Sequence, residues 1–102
     1  MSFGTISHRD IGQYSGRSDC VMIDVRDETA YRHGHIHGAV NIPYKKLMQM
    51  FWRMPSDKIY IVYCEHGGTS LMAARRMAEC GYEVLSVVGG FLACGQHQKR
   101  VY

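Results

Sequence analysis

The chain has 102 residues, 46% of them apolar and 21% charged, with a formal net charge of +3. That is enough apolar matter for one layered core, and it excludes a disordered segment and a pair of independent cores. No apolar run approaches the roughly 18 residues of a membrane span, and no basic run exceeds Lys45-Lys46, Arg75-Arg76 or Lys99-Arg100, so neither membrane nor nucleic acid is expected as a partner.

The mild positive balance suits a small anionic substrate or an acidic protein. The opening MSFGTISHRD lacks the apolar core of a secretory signal, so a cytoplasmic location is expected. In that compartment the four cysteines, Cys20, Cys64, Cys80 and Cys94, are expected as thiols rather than two disulfides. The absence of any Cys-x-x-Cys pair argues against zinc.

Short β-type runs alternate with helix-type runs, the pattern of an α/β fold with a mostly parallel sheet. Thr5-Ile6 can make a first strand. Ser7 has the chemistry of a helix N-cap, with Ile6 and Ile11 placed to staple across it, and this helix is predicted to run to Ser15 and stop at Gly16. Val21 to Val25 reads as a strand buried on both faces. A helical turn over Glu28 to His33 follows, ended by Gly34, and then a short strand over 39–42 closed by Pro43. Tyr44, Leu47, Met48, Phe51 and Trp52 recur at one helical face, read as core rather than as a binding groove.

Ile59 to Tyr63 is the strongest strand. It runs into Cys64 and the turn Glu65-His66-Gly67-Gly68-Thr69. A helix is predicted from Ser70, turning Leu71, Ala74, Met77 and Ala78 inward and stopping at Gly81. Val84 to Val88 is the last strand, Gly89-Gly90 a turn, and Phe91 to about His97 a short helix, with the tail from Gln98 predicted to fray.

In open α/β sheets ligands bind where strands end and helices begin, and Cys64 lies at such a junction. Gly67 and Gly68 allow backbone angles that let successive N–H groups turn inward as an anion-binding nest. The N-terminus of the following helix adds about half a positive charge at the same place. Both favour thiolate over thiol, and the thiolate is the nucleophile. Cys64 is therefore the candidate catalytic group, although a lone cysteine can be a mere small hydrophobe.

The run Cys64-Glu65-His66-Gly67-Gly68-Thr69-Ser70 with Ala73-Ala74 resembles the active-site loop and helix start of the rhodanese family. Asp24-Val25-Arg26, followed by Tyr31, Gly34-His35-Ile36, Gly38-Ala39 and Asn41-Ile42-Pro43, is similar to that family's upstream signature. Gly81-Tyr82, Val84 and Val88-Gly89-Gly90 are similar to its last helix, strand and turn. The resemblance spans about residues 5–95. It implies one rhodanese-like domain over residues 1–102, an α/β fold with a five-stranded, mostly parallel sheet and helices on both faces. It also implies a sulfurtransferase that needs no cofactor. Sulfane sulfur would pass from thiosulfate or a protein persulfide to Cys64, and from there to cyanide or a thiol. The persulfide would be held by the main-chain N–H groups of Glu65, His66, Gly67, Gly68, Thr69 and Ser70. A regulatory module of the same fold is the non-enzymatic alternative. A cysteine phosphatase or arsenate reductase would need an arginine where Ser70 stands.

Of three departures from the family pattern, those at Glu65 and Ala30 bear on the donor, and that at Cys94 concerns packing. Many thiosulfate-using members carry a cation in the loop, whereas this one has Glu65, so thiosulfate is expected to be a poor donor. Ala30 stands where a polar residue is common, and Cys94 where a tryptophan is usual. Asp24 and Arg26, at the end of a strand, are expected to brace the loops rather than react. His66 could assist an incoming anion or face solvent. Cys94 could resolve a Cys64 persulfide only if the two lay close. His33, His35 and His37 are read as turn residues, not metal ligands.

Overall fold

The structure, a computed structural model, describes residues 3–94 and the backbone of 99–100. Its elements in chain order are β1 (Phe3–Ile6), a 3-10 helix (His8–Gln13), β2 (Cys20–Asp24), α1 (Glu28–His33), β3 (His35–Ile36) and β4 (Val40–Asn41). Then come α2 (Tyr44–Met50), continued by a 3-10 turn (Phe51–Arg53), β5 (Ile59–Tyr63), α3 (Gly68–Glu79), β6 (Glu83–Val87), α4 (Gly90–Ala93) and β7 (Lys99–Arg100).

Five strands form one all-parallel sheet in the order β1-β6-β5-β2-β4. Side-chain alternation along its central strands feeds two cores. Tyr60, Val62, Ile23 and Val84 point to the face covered by α2 and α3, where they meet Leu47, Phe51, Ala74 and Met77. Ile61, Tyr63, Met22 and Val87 point to the other face and pack on Ile6, Ile11, Ile36 and Cys94. The Ile6–Ile11 staple is thus in place.

The topology sets where a ligand can bind. Chain leaving β2 goes outward to β4, whereas chain leaving β5 goes through α3 to β6 on the other side. The two loops part where Asp24 and Tyr63 stand side by side in register. Such a switch point leaves a crevice at the C-terminal ends of the strands.

Some expected features differ. The first helix is a 3-10 segment ending at Gln13, with the Ser7 hydroxyl accepting from the Arg9 N–H at 3.1 Å; Gly12 within it weakens a longer α-helix. α3 starts two residues earlier than predicted, at Gly68. Leu71 faces outward at 40% exposure, and Ala73 takes its place inside. Trp52 is 59% exposed because the helix tightens to 3-10 geometry at Phe51 and turns it off the core stripe. α4 ends at Ala93, and Gln96 and His97 lie outside the described residues. Lys99–Arg100, expected to fray, pairs antiparallel with His35–Ile36.

Candidate active site

Cys64 follows the last residue of β5 and is 5% exposed. Its sulfur accepts the N–H of Gly67 at 3.0 Å and of Ser70 at 3.3 Å, and lies 3.5 Å from the Ser70 hydroxyl. Two converging N–H donors at the N-terminus of a 12-residue helix make a setting that favours negative charge on the sulfur. The loop achieves this through Gly67, which has φ +111° and would bring a Cβ to 3.2 Å from the Gly89 nitrogen. Gly68 has no such need: it opens α3 in ordinary backbone with free space around its α-carbon. The nest therefore depends on one of the two glycines.

A second support comes from the turn after β6. The carbonyls of Cys64 and Glu65 accept the Phe91 and Leu92 N–H groups at 2.7 and 3.2 Å, so the start of α4 clamps the reactive loop. Gly90, at φ +64°, makes the approach possible; a Cβ there would lie 2.4 Å from the Cys64 carbonyl oxygen. Backbone must shift to admit it, so Gly90→Ala is expected to destabilise the fold by about 2–3 kcal/mol. A denaturant midpoint unchanged in this variant would contradict the clamp.

The third support is electrostatic. The Arg26 side chain, 8% exposed, grips both carboxylate oxygens of Asp24, donating from Nη2 at 2.8 Å and Nε at 3.1 and 3.2 Å. It also reaches the Gly34 carbonyl at 2.7 Å and Glu65 Oε1 at 3.1 Å, and lies over the Phe91 ring at 4.1 Å. Burial opposes its charge, but Asp24 first and then Glu65 outweigh that and push its pKa up. Tyr63 beneath it is held neutral, its pKa raised by burial and then by Asp24. Asn41 completes the brace, its amide donating to the Asp24 and Arg26 carbonyls at 3.0 Å each. The loop has no cation of its own, as the sequence indicates, yet one arrives from the end of β2 and is shared between two carboxylates.

These loops border an open cleft of about 470 Å³ lined by Arg26, Ala30, Cys64, Glu65, His66 and Thr69, among others. His66 is exposed at its mouth. Among the described residues no group of His, Cys, Asp or Glu is arranged to hold a metal ion. His33 and His35 instead turn their Nδ1 atoms to the Thr29 and Tyr31 carbonyls, and His35 stacks on Tyr31. Arg75, the next arginine after the loop, is exposed beside Glu79. Cys64 and Cys94 belong to opposite cores. No described helix is long and apolar enough to cross a membrane.

Sequence reasoning missed Ser86, Phe91 and the clamping role of Gly90. Ser86 carries no local signal, since a small polar residue in a strand normally marks a solvent face. A buried one is informative only once its partner is known.

Residues 8–97 match the family model of the rhodanese-like domain. A Coxiella burnetii protein named thiosulfate sulfurtransferase GlpE is 35% identical over 92 residues, 89% of this chain and 86% of that protein. A Shewanella oneidensis protein of the same name is 32% identical over 93 residues, 90% of this chain and 92% of that protein. Among solved structures, the rhodanese-like domain protein of Staphylococcus aureus covers 100% of this chain and 99% of its own, with a TM-score of 0.83; at 20% identity this is a likeness of fold.

Proposed function

Because the chain belongs to the rhodanese-like domain family, we propose that it is a sulfurtransferase that carries sulfane sulfur as a persulfide on Cys64. The observation that carries this reading is the Cys64 sulfur, bordering a cleft and accepting two main-chain N–H groups. In the first half-reaction the thiolate attacks the outer sulfur of the donor. A new S–S bond forms, the donor's own S–S bond breaks, and the leaving group takes the electron pair, as sulfite when the donor is thiosulfate. In the second, a cyanide or thiolate acceptor attacks the outer sulfur of the persulfide and Cys64 leaves as thiolate. No oxidant, reductant, metal or cofactor enters this balance. A cytoplasmic setting belongs to the same proposal, since thiol acceptors stay reduced there. Mixed with thiosulfate and no acceptor, the protein should release one sulfite per chain and stop. Sulfite release that requires the acceptor would argue against a persulfide intermediate.

Donor choice follows from the charge around the sulfur. Arg26 is offset by Asp24 and Glu65 together, so the cleft presents a net negative charge to a dianion. Glu65→Gln keeps a hydrogen-bond partner for Arg26 and removes one charge. It should lower the Michaelis constant for thiosulfate roughly three- to fivefold at low ionic strength, and less in high salt. A Michaelis constant unchanged at low salt would remove Glu65 from donor selection.

A further inference from the structure

Ser86 lies in β6, its side chain on the α3 face of the sheet, and it is 2% exposed. Its hydroxyl is 2.8 Å from that of Ser70, which is wholly buried and 3.5 Å from the Cys64 sulfur. The Ser70 oxygen also lies 3.1 Å from the Gly67 carbonyl. Either hydroxyl could donate across this contact. With Ser86 as the donor every proton finds a protein acceptor, because among the described residues Ser70 is the hydrogen-bond partner of the Ser86 hydroxyl and Ser70 in turn reaches Gly67. The Ser70 proton then has two acceptors within reach, the Gly67 carbonyl and the Cys64 sulfur. While Cys64 is a thiol, its S–H points to the Ser70 oxygen and the Ser70 proton goes to Gly67. Once Cys64 has lost its proton to solvent, the Ser70 hydroxyl can swing to the sulfur as a third donor beside the two N–H groups.

We infer that Ser86 is a positioning residue for the sulfur chemistry: by donating to Ser70 it turns and polarises the Ser70 hydroxyl toward Cys64 whenever that sulfur is anionic. This rests on the reading of Cys64 as the nucleophile. Cooperative chains of hydroxyls strengthen the terminal donor. The benefit falls on the attacking thiolate and on the thiolate that leaves in the second half-reaction, since each carries its charge on the Cys64 sulfur.

Threonine and valine at position 86 test this as a shape-matched pair that differs in the hydroxyl. Ser86 also helps to line a surface cavity of about 320 Å³. The readout is the pH–rate profile of Cys64 alkylation by iodoacetamide, followed at the Cys64 peptide by mass spectrometry so that the other thiols do not contribute. The charged and titratable groups around the sulfur, Arg26, Asp24, Asp27, Glu65 and His66, are the same in both variants. Ser86→Val should alkylate about fivefold more slowly than Ser86→Thr on the acid limb, the worth of one ordinary hydrogen bond, with nearly equal rates on the alkaline plateau. In a Ser70→Ala background the two should coincide, because Ser86 acts through Ser70. Should Ser86→Val fail to fold, Ser86→Ala against the unaltered protein gives the same comparison. Superimposable profiles, or a difference that survives intact without the Ser70 hydroxyl, would overturn the inference. The measurement needs no sulfur donor, so a protein that gives the expected profiles but transfers no sulfur would sink the proposed function and leave Ser86 in place.

Discussion

Cys64→Ala is expected to lower sulfur transfer at least about 10⁴-fold, to the background of free donor and acceptor. Nothing else in the cleft can hold a sulfur atom in covalent linkage. Cys20, Cys80 and Cys94 do not line it, and Cys94 packs in the opposite core with its sulfur directed at the Gly90 carbonyl. The substitution removes one small side chain at the surface of the core, so the fold should survive. Cys64→Ser, which offers an oxygen to the same two N–H donors, should fold equally well and be equally inactive. Cys80→Ser, at an exposed position, should keep most of the activity. Thiosulfate-to-cyanide assays on the three proteins, with circular dichroism to verify folding, decide the matter. Substantial turnover by Cys64→Ala would remove the nucleophile from the account.

The largest effect on stability is expected from Asp24→Ala. The Asp24 side chain is fully buried and is the main partner of Arg26, itself 8% exposed. Its Oδ1 also accepts the Arg26 N–H at 2.9 Å. Removing the carboxylate leaves a buried guanidinium with the Gly34 carbonyl, Glu65 and the Tyr63 and Phe91 rings around it. Breaking a buried pair from one side costs about 3–5 kcal/mol, because the desolvated charge left behind loses its compensation. For a domain of this size that is a fall in Tm of about 15–30 °C. Activity should fall with it, since Arg26 ties the loop after β2 to Glu65. Replacing both partners with apolar residues, Asp24→Leu with Arg26→Met, should restore much of the stability and little of the activity. A Tm within about 5 °C of the parent for Asp24→Ala would mean that water reaches Arg26 and that the brace is weaker than its geometry indicates.

The place of Cys64 at a strand–helix junction, the strand leading into it and the five-stranded parallel sheet were legible because they rest on local patterns and on the family resemblance. IYIVY is a β-branched and aromatic run, Gly67 follows within a turn's length, and three motifs recur in family order along the chain. What the sequence hides is contact between distant segments. Arg26 and Glu65 are 39 residues apart and Ser70 and Ser86 are 16 apart, and neither pair carries a periodic signal. Glu65 read alone is a lone negative charge beside the nucleophile; with Arg26 against it, the charge is part of a three-member network. Leu71 misled for a different reason. The helix period was right and Ala74, Met77 and Ala78 are buried as read, but Leu71 lies in the first turn at the edge of that stripe, where Ser70 and Ala73 fill the inward positions. Trp52 shows that a short apolar stripe does not predict where α geometry gives way to 3-10.

The most direct test of the central claim is a mass spectrum of the intact protein and of its Cys64 peptide after incubation with excess thiosulfate or, separately, inorganic polysulfide. The account predicts a mass gain of one sulfur atom, located on Cys64, lost on addition of cyanide with formation of thiocyanate, and absent from Cys64→Ala. No gain with either donor, or a gain carried by Cys20, Cys80 or Cys94 while Cys64 stays unmodified, would contradict it.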